Sequence, residues 1–314
     1  MGLIAVTGAS GFLGAPLCAS LERQGRQVRR LLRSPRGHQP GAVVIGDLGG
    51  PVAWSEALSG VETLVHCAAR VHVMKETEQE REQGCRAINL EASIRLGEAA
   101  AAQGVKRMVF LSSIKVNGES THLDAPFTAA TIPAPEDAYG RSKWEAEQGL
   151  GRLAASTGME LVVIRPPLVY GPHVRANFLR LMRLVDRGVP LPLGAVHNRR
   201  SLVALDNLID LIECCLDHPA AAGKVFLASD GEDLSTPKLI RALAAALGRP
   251  TRLLPVPAGV LRRLGRLSSR SAEVDRLLGC LQVDSTATRE TLTWTPPVSL
   301  KEGLQRCCDW YRHG

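Results

Sequence analysis

Leu3-Ile4-Ala5-Val6-Thr7-Gly8-Ala9-Ser10-Gly11-Phe12-Leu13-Gly14 is the stretch on which the fold turns. Leu3–Val6 is a short apolar run of the kind that a parallel strand buries on both faces. It leads straight into glycines at 8, 11 and 14, after which Leu13, Leu17 and Leu21 recur at helical spacing. A strand, a glycine-rich turn and a helix make an anion site, because backbone N–H groups and the positive end of the helix dipole face one point. Glycine lets the backbone turn tightly and approach a pyrophosphate, and at position 14 it lets helix and strand pack closely. Gly8, Ser10, Gly11, Phe12, Leu13 and Gly14 are the first candidate cofactor-binding residues; the plainer alternative is a βα turn that happens to be rich in glycine.

Outward from that stretch, strand and helix signals alternate. Val28–Leu32, Val43–Ile45, Thr63–Cys67, Met108–Ser112 and Leu161–Ile164 read as further strands, and helices are expected near 12–24, 53–59, 84–103 and 139–157. This rhythm predicts an α/β fold, a Rossmann-type doubly wound parallel sheet. After Pro166 the pattern changes, with prolines at 190, 192, 237, 255, 257, 296 and 297 breaking up shorter elements. Ser235-Thr236-Pro237 reads as a helix start, a hydroxyl cap followed by proline in the first turn. The expected division is a dinucleotide-binding core over 1–166 and a smaller substrate-binding lobe over 167–314, with some segments of the latter returning to the sheet. Such a lobe would lie over the carboxyl ends of the strands, where ligands bind in these sheets.

Tyr139 and Lys143, in Ala138-Tyr139-Gly140-Arg141-Ser142-Lys143, put a phenol and an ammonium on one face of a helix. A nearby cation favours the phenolate, so Lys143 is expected to lower the Tyr139 pKa and make it a general acid or base. The spacing alone recurs by chance; downstream of the glycine turn and of Ser112-Ser113 it carries much more weight.

Thr7–Gly14, His66-Cys67-Ala68-Ala69, Asn89, Leu111-Ser112-Ser113 and Tyr139–Lys143 together resemble the extended short-chain dehydrogenase/reductase family, over nearly the whole chain. The closest look is to its nucleotide-sugar branch of 4-epimerases, 4,6-dehydratases and 4-keto reductases. Ser113–Glu119, Arg165–Pro172 and Asn198-Arg199-Arg200-Ser201-Leu202 are similar to bacterial proteins labelled UDP-glucose 4-epimerase-like or UDP-4-keto-6-deoxy-N-acetylhexosamine reductases. The resemblance implies that Ser113, rather than its competitor Ser112, joins Tyr139 and Lys143 as a catalytic residue by positioning and polarising the sugar oxygen. It implies that Asp47, with Leu48, lies at the adenine ring, and that His66, Ala68, Ala69, Asn89 and Pro166 also serve the cofactor. Asn177 and Arg200, with Arg199 competing, resemble positions that bind the diphosphate of a nucleotide sugar. Lys115 has two readings, a phosphate or sugar-hydroxyl contact and an ordinary exposed lysine. The related dehydratases carry an Asp-Glu pair after the catalytic hydroxyl; Ile114-Lys115 stands here, which argues against water elimination.

Cofactor choice turns on the end of the second strand. An acid there would bind a ribose 2′-hydroxyl, but Leu31-Leu32-Arg33-Ser34-Pro35-Arg36 has none. Arg33, Ser34 and Arg36 suit charge-assisted bonds to a 2′-phosphate, so NADP(H) is favoured over NAD(H). That leans the functional expectation toward hydride transfer from the nicotinamide to C4 of a UDP-4-keto hexose, with Tyr139 protonating the oxygen. The alternative is a UDP-hexose 4-epimerase with tightly held NAD. A more distant alternative is a non-catalytic NADP-binding regulator.

Composition fits such an enzyme: 314 residues, 45% hydrophobic and 22% charged. No apolar run approaches the ~20 residues of a membrane span, and the first strand occupies the place of a secretory signal, so a cytoplasmic protein with no stable membrane insertion is expected. The eight cysteines include no CxxC pair, so neither a metal site nor a disulfide framework is suggested. A net charge of +7 is spread without interleaved aromatics, which total 4%, so nucleic acid is not an expected partner. Leu261-Arg262-Arg263-Leu264-Gly265-Arg266-Leu267 suits either an anionic membrane surface or, more simply, a solvated amphipathic helix. The helices near 84–103 and 139–157 resemble those of a family dimer interface, which implies a homodimer.

Overall fold

Strand β1 (Leu3–Thr7) runs through the middle of the molecule, and the layers are arranged on either side of it. The computed structural model describes residues 2–35, 41–71, 76–267 and 271–314. After β1 come α1 (Gly14–Arg23), β2 (Val28–Leu32), β3 (Ala42–Val44), the single turn α2 (Trp54–Ala57) and β4 (Val61–His66). Next are α3 (Glu78–Cys85), a π turn (Arg86–Glu91), α4 (Ala92–Ala102), β5 (Arg107–Leu111), a 3₁₀ turn (Ile114–Val116), α5 (Ala138–Thr157) and β6 (Glu160–Arg165). The remainder comprises β7 (Leu168–Tyr170), α6 (Ala176–Asp186), β8 (Leu202–Ala204), α7 (Leu205–Asp217), β9 (Val225–Leu227), α8 (Thr236–Ala246), α9 (Ala258–Leu267), α10 (Ser271–Leu278), α11 (Thr286–Leu292) and α12 (Leu300–His313).

Seven parallel strands form one sheet in the order β3-β2-β1-β4-β5-β6-β9. The order reverses between β1 and β4, the switch point beside which ligands bind in doubly wound sheets. Cross-strand register places Thr7 beside His66 and His66 beside Phe110, so the chain leaves β1, β4 and β5 at one level. Neighbouring residues on a strand point to opposite faces: Val6, Val65, Val109 and Val162 pack with Leu17, Leu208 and Ile212 of α1 and α7. Ala5, Leu64, Met108 and Phe110 pack with Leu96, Ala146 and Leu150 of α4 and α5. Fully burying a side chain such as Leu96 or Leu150 contributes ~1.5–3 kcal/mol, so a charge at Leu64 or Met108 would break this layer. A third core, around Tyr170, Phe178, Met182, Leu243 and Leu304, lies under the parallel pair β7–β8 and α6, α8 and α12.

The predicted helix over 84–103 starts earlier, at Glu78, where Thr77 and Glu80 form a reciprocal cap, and the π turn interrupts it. A widened turn of this kind re-aims the side chains within it, and it carries Asn89 into the buried side. α5 begins where Asp137 accepts from Gly140 N at 2.7 Å and stops at Gly158, whose φ of 77° suits glycine. Among the described residues, no helix is long and apolar enough to cross a membrane.

Candidate active site

The end of β5 and the first turns of α5 carry the candidate catalytic residues. Ser112 and Ser113 follow each other out of the strand and point opposite ways. The Ser112 hydroxyl donates to Glu147 Oε1 in the interior. Ser113 shares a hydrogen bond with the Tyr139 phenol and accepts from Lys115 N at 3.2 Å. Alternation along the strand therefore separates the two serines, and only Ser113 meets the phenol.

Lys143 lies one helical turn after Tyr139 and is 1% exposed. Its Nζ donates to Leu111 O at 2.7 Å and sits 4.4 Å from the centre of the Phe110 ring. Burial lowers its pKa to about 8, against smaller opposing contributions from Cys67 and Glu147. The half-buried Tyr139 departs from expectation. Burial pushes its phenol above the ordinary range, Asp137 and Cys85 add to this, and the Ser113 hydrogen bond pulls the other way. The ammonium of Lys143 is committed to the Leu111 carbonyl, so the lowering expected from the four-residue spacing is not what this arrangement produces.

Beside this seam, the glycine turn is shaped by its neighbours. Gly8 has φ of 66°, and a Cβ there would come within 2.9 Å of Ala68 N. A Cβ on Gly14 would come within 2.2 Å of Gly8 O, so α1 can approach the turn only with glycine at that position. No side chain caps α1, whereas Asp137, Ser235 and Ser299 cap α5, α8 and α12. An uncapped N-terminus beside exposed Ser10 and Gly11 and half-buried Phe12 and Leu13 suits the pyrophosphate of a dinucleotide.

His66 ends β4 with its ring turned inward. It is 0% exposed and both ring nitrogens are occupied: Nδ1 lies 2.6 Å from Thr7 Oγ1 and Nε2 lies 2.9 Å from Ser93 Oγ. Since Ser93 Oγ donates to Asn89 O and Thr7 Oγ1 accepts from Ala68 N, the chain of bonds is consistent with a proton on Nε2. Burial, then the Lys143 charge, holds its pKa down at about 3, so the ring stays neutral. His66 thus ties β1, β4 and α4 together beneath the cleft, and its side chain is not offered to a cofactor. Asn89, also 0% exposed, accepts from Arg70 N at 2.7 Å and donates to Arg70 O and to Ser142 Oγ. It pins the loop carrying Ala68 and Ala69 to the helix carrying Tyr139.

The outlying candidates are less closely joined. Arg33 and Ser34 are exposed at the end of β2, and Arg36 lies outside the described residues. Asp47 is exposed and its carboxylate accepts from Gly49 N at 2.8 Å, while Leu48 O accepts from Arg95. Pro166 O accepts from Ile114 N at 3.0 Å, which brings β6 to the catalytic strand end. Lys115 is already paired with Glu119 at 2.7 Å and with Asp137, so its charge serves the cap of α5 rather than facing an open site. Ile114 is 4% exposed, and no acid–base pair stands at the two positions after Ser113. Asn177 is exposed in the first turn of α6. Arg200 donates to Arg276 O at 2.7 Å and Gly279 O at 3.2 Å, and its competitor Arg199 pairs with Asp124 at the surface.

One group escaped the sequence reading. Glu147 and Arg165 form a buried, two-pronged ion pair, with Nε to Oε1 at 3.0 Å and Nη2 to Oε2 at 2.5 Å. Arg165 also donates to Asn117 Oδ1 at 3.0 Å, and Glu147 accepts from Ser112. The available signal was spacing: Glu147 follows Lys143 by four residues, as Lys143 follows Tyr139.

The sequence pattern of the NAD dependent epimerase/dehydratase family matches residues 4–228. The chain is 46% identical over 306 residues to a UDP-glucose 4-epimerase of Vibrio cholerae, covering 96% of this chain and 93% of that one. Among solved structures, MoeE5 in complex with UDP-glucuronic acid and NAD is similar at 26% identity and a TM-score of 0.78, over 99% of each chain. The UDP-glucose 4-epimerase of Thermotoga maritima with UDP-glucose aligns with a TM-score of 0.79 over 99% of each chain; at 23% identity it is a likeness of fold.

Proposed function

The chain belongs to the NAD dependent epimerase/dehydratase family, within the nucleotide-sugar branch of extended short-chain dehydrogenases/reductases, and we propose that it is a UDP-hexose 4-epimerase. The observation that carries this reading is the 46% identity, along nearly the whole of both chains, to the Vibrio cholerae UDP-glucose 4-epimerase. UDP-glucose or UDP-N-acetylglucosamine is the proposed substrate class.

The dinucleotide would be held by the Gly8–Gly14 turn and the uncapped end of α1, with Asp47 toward its adenine. It supplies a reversible hydride acceptor at C4 of the sugar. With its phenol ionised, Tyr139 would take the proton of the 4-hydroxyl as the hydride of C4 passes to the bound dinucleotide, leaving a 4-keto sugar. Ser113 holds the C4 oxygen beside the phenol. After the keto sugar turns over, hydride returns to its opposite face and Tyr139 returns the proton. Lys143 keeps a positive charge under this exchange, and Arg200 and Asn177 are the proposed diphosphate contacts.

A second reading, reduction of a UDP-4-keto sugar by NADPH, is favoured by two features: the exposed, acid-free β2 end at Arg33 and Ser34 and the raised phenol pKa, which suits proton donation. Purified protein is incubated with UDP-glucose and with UDP-N-acetylglucosamine, and the C4 epimers are resolved by chromatography. Interconversion without net change in nicotinamide absorbance supports the epimerase. No interconversion, together with stoichiometric NADPH oxidation on a UDP-4-keto-6-deoxy-N-acetylhexosamine, would replace it with the reductase.

A further inference from the structure

Helix α9 divides its surface into three sectors. Leu261, 8% exposed, and Gly265 face inward. With about 100° per residue, Val260, Leu264 and Leu267 share another side, and they are 44%, 56% and 85% exposed. Arg263 and then Arg266 border that apolar stripe, Arg262 lies nearly opposite it, and all three are exposed. The helix contains no acidic residue; Arg262 reaches Asp275 of α10 at 3.4 Å across open surface. Leu254 and Leu277, at 51% and 41%, add apolar surface on the flanking segments.

We propose that α9 docks on an anionic bilayer surface, with Val260, Leu264 and Leu267 entering the boundary between headgroups and acyl chains and Arg263 and Arg266 meeting lipid phosphates. Apolar and basic sectors side by side on one helix match a surface that offers both environments. A second copy would bring two arginine faces together without a compensating acid in the helix. A nucleic acid would engage the arginines and leave the apolar stripe in water. The helix is also tied to the lobe: α9 packs on α10, whose last carbonyls are gripped by Arg200. Docking would therefore set the β7–β8 lobe, rather than the β2–β3 edge, toward the membrane. The inference stands on the surface alone and does not depend on which sugar reaction the enzyme performs.

The full chain is floated with mixed phosphatidylglycerol–phosphatidylcholine vesicles and with phosphatidylcholine alone, at low and high salt. Recovery with the anionic vesicles should exceed that with neutral vesicles, and that at high salt, by about tenfold or more. Val260→Ser/Leu267→Ser and Arg263→Ser/Arg266→Ser should each remove the enrichment while leaving turnover of soluble substrate intact, which shows that the variants fold. Equal recovery on neutral and anionic vesicles, or variants that still float, would overturn the proposal. So would wild-type protein that ignores vesicles while Val260→Ser/Leu267→Ser sediments as a smaller species, since the stripe would then be a contact between copies.

Discussion

The β5–α5 seam and the lobe around Arg200 both contain arginine, but they use it in opposite ways. In the seam, Arg165 is 2% exposed and its guanidinium is divided between the Glu147 carboxylate and Asn117. Lys143, one turn from Glu147, is equally enclosed. In the lobe, Arg199 is exposed beside an exposed acid, and Arg200 is held by the backbone carbonyls of Arg276 and Gly279. Buried charge survives only when every hydrogen-bonding group is answered, so the seam is rigidly specified. Among the described residues no ion pair forms at Arg200, which suits its proposed contact with an anionic ligand. The difference separates a region whose buried charges are answered on all sides from one whose arginines are held by backbone or by exposed partners, which matches the proposed division between reacting groups and diphosphate contacts.

The comparison can be broken most sharply at Tyr139. Tyr139→Phe should lower kcat by ~10²–10⁴ while cofactor binding, followed by nicotinamide fluorescence or calorimetry, stays within a factor of about two. Unchanged turnover would remove Tyr139 from the chemistry.

Glu147→Ala tests the rigidity of the seam. It leaves the Arg165 charge buried and unpaired, so unfolding in urea should show a loss of ~3–5 kcal/mol. A loss no larger than that of a surface pair would mean that the seam tolerates open charge as the lobe does.

The lobe should respond through substrate rather than stability. Arg200→Ala is expected to raise KM for the nucleotide sugar about tenfold, roughly 1.4 kcal/mol, with a smaller change in kcat. A kcat loss without a KM change would place Arg200 with the structural residues.

The pH profile sharpens the role of Lys143. Its ammonium is present below about 8 and is lost as pH rises through that value, so activity should fall on the alkaline side near there. The stability sign is the reverse. The cost of burying the charge is fully present below about 8 and fades as pH rises toward the ordinary lysine value, because the unfolded chain still binds the proton in that window. A Lys143→Met variant should lose this alkaline limb. Arg199→Ala, at the far end of the comparison, should change stability by no more than ~0.2–1 kcal/mol, since its pair is exposed.

Much of the fold was legible because its signals are short-range. The run Leu3–Val6, the three glycines and the following leucines specify strand, turn and helix within one stretch. Tyr139 and Lys143 are joined by helical periodicity alone, and Asp137 and Gly158 mark the ends of their helix. The strand bounds differ from expectation by only one or two residues. What eluded the sequence depends on partners far apart in the chain. Glu147 gains meaning only when Arg165, Asn117 and Ser112 converge on it, and no local pattern says that Thr7 and Ser93 occupy both nitrogens of His66.

By itself, then, the sequence determined the alternating α/β layers, the glycine turn and the placing of phenol and ammonium one helical turn apart, because each follows from short-range pattern: glycine in a turn, two residues per repeat along a strand, about 3.6 along a helix. Tertiary structure decided which serine faces Tyr139, where the Lys143 proton is shared, and that Lys115 is consumed by Glu119 and Asp137 while Arg200 is held by backbone carbonyls. Those outcomes depend on burial and on which distant donors reach which acceptors, and no local spacing encodes either.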